Sequence, residues 1–345
     1  MSSIFDMKYS WVKNVCVIDS MHAFLQYLLL VPESESNNTF YFWGEGISPA
    51  VKSAYEGHYM TFDKKRKYGW FEILSEYPFL LKNNIHYWGQ DHLPISKYII
   101  RRHDFELLED GTLNYTQYPW RYRKTLKRTI FALWEGPLCC LDIPYSGYEK
   151  NCSKINLTGL VDTGEVYSSN KLSVKSFQSL WDESDDAKKA YINRVFGVDE
   201  EFCSQLRQRK KILLTQPFSE DGFLTEDEKI SIYSKVIEVI GGDDVVIKRH
   251  PREKTDYKKF FPNVSVFDLA IPMQLIMLNG IRFEEAYTIF SSAVFGFSYK
   301  IRIGFIGSQI SHKLLKKFPN HTRDSYQGNG GNAEMIDLRL EGVCD

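Results

Sequence analysis

The sequence contains no C-x-x-C pair. Its six cysteines, Cys16, Cys139, Cys140, Cys152, Cys203 and Cys344, follow no spacing of a disulfide framework or a zinc knuckle, so they read as reduced thiols of a cytoplasmic protein. There is no Gly-rich phosphate loop of either standard type, no H-E-x-x-H and no G-x-S-x-G, which argues against a P-loop ATPase, a zincin protease and an α/β-hydrolase. Long apolar runs are missing too. The best, Met21 to Val31, is far shorter than a membrane span, and the start MSSIFDMKYSWVKN lacks the uninterrupted apolar stretch of a signal peptide. Nor is there a surplus of charge: 43 Lys+Arg against 44 Asp+Glu leave a net charge of -1. Nothing pulls the whole chain onto nucleic acid or anionic lipid, so any anion must be bound locally.

What is present is an ordinary globular composition, 43% hydrophobic and 25% charged over 345 residues, which predicts two domains, each able to bury its own core. Aromatic content of 15% suits core packing and, more weakly, stacking on sugars or bases. VKNVCVID from Val12, the helical stretch to about Leu30 and then FYFWGEG form a β-α-β opening. Further alternation at ILSEYPFLL, HLPISKYIIRR and RHDFELLEDG predicts a parallel sheet layered by helices. WRYRKTLKR, Trp120–Arg128, reads as the basic face of a helix, and DESDD, Asp182–Asp186, as a solvated helix start rather than a metal site.

From Lys211 the pattern is clear again. KILLTQP is a buried strand, TEDEKISIYSKVIEVI a helix opened by a Thr225/Glu228 capping box, and DDVVIKRHP a second strand. The interdomain crossing is placed near residues 200–210, giving an N-terminal α/β domain over 1–205 and a C-terminal one over 206–345.

Ligands of open parallel sheets collect beyond the carboxyl ends of strands, which singles out the loops after Leu214 and Ile247. His250 stands before Pro251, which forces it into an extended conformation and aims it outward. There it can protonate or hydrogen-bond a departing phosphate, with Lys248 or Arg252 supplying fixed positive charge. A basic surface loop with a proline stop is the plain alternative. Ser291 and Ser292 precede AVFGF at a helix start, a geometry that holds phosphate, although an N-cap alone explains one serine. Glu109-Asp110-Gly111 and Ser219-Glu220-Asp221-Gly222 are acidic turns, each at a strand's carboxyl end. Either set of carboxylates could deprotonate a hydroxyl as the histidine side neutralises a leaving phosphate.

EDGTLNY, KILLTQP, VVIKRHPR and YTIFSSAVF, in this order, resemble glycosyltransferase family 52, the bacterial lipooligosaccharide sialyltransferase family. The resemblance spans Val12 to about Phe305 and includes a His-Pro pair about 140 residues after the first acidic turn. It implies two Rossmann-like domains facing a central cleft, the GT-B arrangement, with the acceptor on the N-terminal side and the donor on the C-terminal side. It implies an inverting transfer from CMP-sialic acid to a terminal galactose-type hydroxyl of a glycan acceptor, lipooligosaccharide or capsule, with no cofactor and no metal. By resemblance His250 is the general acid, Lys248, Pro251 and Arg252 its donor-binding neighbours, and Ser291 and Ser292 the serine turn near the nucleotide phosphate. Glu109 and Gly111 fall on the acceptor side. The general base is left between Glu220 or Asp221, a few residues later after Pro217 than the family places its acid, and Asp110. A homodimer and a peripheral place at the inner membrane face are compatible with such an enzyme, and nucleic acid is not expected. Donors of the glucosyltransferase type, and a non-catalytic nucleotide- or glycan-binding protein, are the competing readings.

Overall fold

The computed structural model describes residues 8–63, 66, 68–115, 147, 150–160, 171–250, 252–267, 271–326 and 333–336. Pro251 and the basic stretch Trp120–Arg128 lie outside them. The chain divides into two compact units, Met1–Val195 and Phe196–Asp345. The sequence places the crossing later, near 205, which falls inside the helix Glu200–Arg207.

The first unit holds β1 (Asn14–Ile18), β2 (Thr39–Trp43), β3 (Tyr59–Thr61), β4 (His86–Gly89), β5 (Phe105–Leu108), β6 (Cys152–Leu157) and β7 (Leu172–Val174). They form one parallel sheet in the order β3-β2-β1-β4-β5-β6-β7. NVCVI and TFYFW are buried at every position. A parallel strand covered on both faces needs a continuous apolar run, and that is why these segments do not alternate. The edge strands β3 and β7 are short and half exposed.

The second unit holds β8 (Lys211–Leu214), β9 (Val245–Lys248), β10 (Ser265–Phe267), β11 (Glu285–Thr288), β12 (Ile301–Phe305) and β13 (Ala333–Met335). These are parallel in the order β10-β9-β8-β11-β12-β13. Its longest helix, Glu226–Ile240, opens on the expected capping box: Thr225 Oγ1 accepts from the Glu228 N–H and Glu228 returns the bond to the Thr225 N–H.

ILSEYPFLL is a helix end followed by a 3-10 turn, Pro78–Leu81, because Pro78 can open a turn but cannot continue the helix before it. Helix formation departs from the sequence reading after Ser291. The segment there is a 3-10 turn, Ser292–Gly296, too short to be a helix. DESDD spans the end of one helix, Phe177–Asp182, and the start of the next, Asp186–Phe196. No helix among the described residues is long and apolar enough to cross a membrane.

The aromatic residues fill cores. Trp43, Tyr27, Tyr41, Tyr87, Phe24, Phe42 and Phe105 are fully buried in the first unit, and Tyr233 and Tyr257 in the second. Tyr27 gives or takes a 2.6 Å hydrogen bond with Thr39, and Ser36 joins Tyr41 and Tyr191 at 2.9 and 3.0 Å, so these hydroxyls are satisfied inside.

Two glycines separate backbone conformation from packing. Gly89 ends β4 with φ +141, and a Cβ there would lie 2.0 Å from the Val17 carbonyl oxygen, whereas Gly111, at φ +83, has open space around it. Gly89→Ala is therefore expected to cost more than about 3 kcal/mol, because strain and a backbone clash add, and Gly111→Ala about 1 kcal/mol from strain alone. Urea unfolding of the full chain checks the ranking, and equal losses would contradict it.

Candidate functional site

In each sheet the chain reverses its direction of winding beside the first strand, between β1 and β4 in one unit and between β8 and β11 in the other. The carboxyl ends of those strands are where an open α/β sheet receives its ligand. The polar residues gather there in both units.

In the second unit β8 runs into Thr215-Gln216-Pro217. Gln216 Oε1 accepts the Phe290 N–H at 3.0 Å, and Thr288 Oγ1 donates to the Leu214 carbonyl at 3.1 Å, which ties the β8 and β11 ends together. Ser291 gives its N–H to Thr288 Oγ1 at 3.0 Å and accepts from the Ala293 N–H at 3.3 Å. This hydroxyl caps the 3-10 turn that Ser292 begins.

His250 follows β9 by two residues. Its Nδ1 accepts the Arg252 N–H at 3.2 Å, which leaves the ring proton on Nε2. Burial, together with the charges of Arg252 and Lys248, pushes its pKa down to about 4, so the imidazole is neutral at pH 7 with Nε2–H as a donor. Lys248, 9% exposed, is pushed down to about 8 by burial, and Glu253 opposes the shift. Arg252 is exposed, and its guanidinium grips Asp221 through both nitrogens, at 2.6 and 3.0 Å.

The turn at Ser219–Gly222 forms as expected, closed by the Gly222 N–H to the Ser219 carbonyl at 3.0 Å. Glu220 points to Lys229, whose side chain is fully buried. The ammonium lies 3.0 Å from Glu220, 3.3 Å from Glu226 and 3.7 Å from Glu253. Burial alone pushes the Glu220 carboxyl up. Hydrogen bonds from the Lys254 N–H, Lys229 and its own N–H, with the charge of Lys229, outweigh that and hold it at about 2. A carboxylate so stabilised has little tendency to take a proton from a hydroxyl.

In the first unit the two carboxylates of Glu109-Asp110-Gly111 part company. Glu109 is fully buried, accepting from Tyr115 at 2.9 Å, from the Thr158 N–H at 2.5 Å and hydroxyl at 2.9 Å, and from His22 Nε2 at 3.1 Å. Asp110 is partly exposed. One of its oxygens accepts from Gln90 Nε2, the other lies 3.5 Å from His92 Nε2, and its N–H is held by Asn114 at 2.5 Å. Gln90 also accepts the Asp19 N–H at 2.6 Å, joining the β1, β4 and β5 ends. No group of three or more His, Cys, Asp or Glu that could hold a metal ion occurs among the described residues.

Sequence reasoning passed over Lys229, Glu253, His22, Gln90 and His92. For Lys229 a signal existed: it falls on the buried stripe with Ile232, Tyr233, Val236, Ile237 and Ile240, where a lysine needs a buried counter-charge.

Two parallel-sheet α/β units, each with polar residues at its switch point, are the architecture of the GT-B fold. The chain belongs to glycosyltransferase family 52, whose family model matches residues 60–306. An uncharacterised protein of Haemophilus influenzae is 33% identical over 320 residues, covering 90% of this chain and 99% of that one. The fold is similar to that of an alpha/beta-galactoside alpha-2,3-sialyltransferase from Photobacterium phosphoreum, with a TM-score of 0.58 and 14% identity over 94% of this chain and 99% of that one. It is also similar to the GT-B domain of a sialyltransferase from Photobacterium damselae, with a TM-score of 0.55 and 13% identity over 93% of this chain and 99% of that one. Membership implies a nucleotide-sugar donor and a glycan acceptor.

Lys229→Met should destabilise the chain by about 3–5 kcal/mol at pH 7, since Glu220 and Glu253 then keep their charges without the ammonium. The loss should shrink on acidification as those carboxyls take up protons. In the native chain the sign is the usual carboxylate one: the contribution of Glu220 is complete above its unfolded value near 4.5 and disappears as pH falls toward 2. Urea midpoints at pH 4 and 7 for both proteins measure this, and a penalty independent of pH would refute it.

Proposed function

We propose that this protein transfers sialic acid from CMP-sialic acid to a terminal galactose-type hydroxyl of a bacterial surface glycan, with inversion at the anomeric carbon. The observation that carries the reading is the β9 edge, where a neutral His250 presents Nε2–H beside the buried ammonium of Lys248. Arg252, on the same loop, is engaged by Asp221. A neutral donor and an ammonium suit the phosphate of a CMP leaving group. As the bond from the anomeric carbon to the phosphate oxygen breaks, His250 Nε2–H and Lys248 take the developing charge, and the arriving anion raises the imidazole's affinity for a proton. Family membership and the likeness in fold to sialyltransferases support the donor assignment.

For the general base we favour Asp110. Glu220 is held at about 2 and both Asp221 oxygens are gripped by the Arg252 guanidinium, whereas Asp110, about equally exposed, faces the Gln90 amide and the His92 ring. The acceptor hydroxyl would lose its proton to Asp110 as it attacks. An acceptor carried on a lipid would bring the protein to the inner face of the cytoplasmic membrane.

Purified protein mixed with CMP-sialic acid and lactose should release CMP and form sialyllactose, read by mass. His250→Ala should lose about 10²–10⁴ in turnover while staying folded. Asp110→Asn should abolish transfer with CMP binding intact, and Asp221→Asn should cost no more than about tenfold. Loss confined to Asp221→Asn would move the base to the second unit, and release of nucleotide only from another nucleotide-sugar would replace the donor.

A separate test concerns pH. Lys248 is protonated below about 8 and an anion prefers that form, so CMP affinity should fall as pH rises through about 8 and binding at pH 8 should take up protons. Calorimetry in buffers of differing ionisation enthalpy reads the uptake. Lys248→Met should abolish it, and unchanged uptake would remove Lys248 from the phosphate site.

A further inference from the structure

Glu253, three residues beyond His250, is 5% exposed, and both of its oxygens are engaged. Oε2 accepts the His250 backbone N–H at 2.7 Å and the Thr215 hydroxyl at 2.5 Å. Oε1 accepts the Tyr257 hydroxyl at 2.6 Å and faces Lys229 Nζ at 3.7 Å. The loop closes on itself through the Glu253 N–H, which bonds the His250 carbonyl at 3.0 Å. These partners come from the end of β8, the loop after β9, the helix Glu226–Ile240 and the turn Tyr257–Phe260. A loop can be closed by a serine, an asparagine or a water at far lower cost than by a desolvated carboxylate.

We propose that Glu253 is a positioning residue of the donor-side site, setting the place of the His250 imidazole through its main chain and the electrostatics of Lys248 through its charge. The inference rests on the reading of His250 and Lys248 as the pair that meets the donor phosphate. The main-chain half follows from the geometry: with its N–H held by Glu253 and its Nδ1 by the Arg252 N–H, His250 is fixed at both ends. The electrostatic half follows from the neighbours. The charged and titratable groups around this edge are Arg249, His250, Arg252, Glu253, Lys254 and Tyr257 with Glu220, Asp221, Glu226 and Lys229; Lys229 is shared by Glu220, Glu226 and Glu253, and Arg252 pairs with Asp221. Glu253 is the carboxylate that opposes the loss of the Lys248 proton.

The test uses the full chain with Glu253→Ala and Glu253→Gln, near-ultraviolet circular dichroism as the check of folding, and CMP as the binding probe. Amide hydrogen exchange at His250 reads the main-chain clamp without any donor. Glu253→Ala should lose that protection and about 10² in turnover. Glu253→Gln keeps an acceptor oxygen at the same reach, so it should restore protection and most of the turnover. It lacks the charge, so the alkaline fall in CMP affinity should move from about 8 to lower pH by about half a unit or more. A residue with a merely structural role would leave that limb where it is. If Glu253→Ala does not fold, the limb in Glu253→Gln decides the matter. A folded Glu253→Ala with protection lost and turnover within about threefold of wild type would overturn the positioning role while leaving that of His250 to the His250→Ala result. A limb still at about 8 in Glu253→Gln would overturn the electrostatic role. Should the wild type bind CMP yet leave CMP-sialic acid intact, the donor assignment fails, and the exchange and binding experiments still judge Glu253.

Discussion

A parallel sheet buried on both faces has little room for polar side chains except where its strands end, and the chemistry of this protein follows from that constraint. β1 and β2 are buried at each of their positions, and the β8 and β9 interiors are apolar from Ile212 to Leu214 and from Val245 to Ile247. Asp19, Gln90, Glu109, Asp110 and Thr158 all come just after a strand of the first unit, as Thr215, Lys248, His250 and Ser291 stand at strand ends of the second. The winding order then selects which strand ends count, because neighbouring connections leave the sheet in opposite directions at β1/β4 and at β8/β11.

Partial burial at such an edge acts on each group according to its charge. It pushes His250 down to about 4 and Lys248 down to about 8, so the imidazole is neutral and the ammonium keeps its proton only narrowly. The same burial would push Glu220 up, and only the contact with Lys229 and the backbone donors reverses it to about 2. Glu253, deeper and farther from Lys229, keeps the upward shift that burial imposes. One ammonium thus serves three carboxylates, at 3.0, 3.3 and 3.7 Å. An arriving phosphate adds negative charge beside His250 and Lys248, and its effect opposes that of burial at both.

What the sequence made legible was local. The capping box at Thr225, the strand ends before Pro217 and Pro251, and the turns at Gly111 and Gly222 depend on residues within four positions of one another, and the chemistry of those residue types reads directly. What escaped was the partner across the fold. Asp221 and Arg252 are 31 positions apart, Glu220 meets the Lys254 N–H across 34, and Glu109 meets His22 across 87, so no spacing rule could join them. The run ILSEYPFLL was ambiguous for another reason. Apolar continuity suits a buried strand and a helix packed on a sheet equally well, and only Pro78 marks where the helix gives way.

The two acidic turns show how far such a motif can be carried. Each places a glutamate and then an aspartate before a glycine of positive φ, Gly111 at +83 and Gly222 at +73. In each turn one carboxylate goes inward and the next outward. Glu109 is sealed among Tyr115, Thr158 and His22, as Glu220 is held by Lys229, and both inward positions serve the fold. Asp110 and Asp221 are the outward ones, 24% and 26% exposed, and by sequence and geometry they are equivalent. Their neighbours break the tie. Asp221 meets a guanidinium that is always charged and takes both oxygens, while Asp110 meets an amide and an imidazole. The bidentate grip of Arg252 on Asp221 is the physical ground for preferring Asp110.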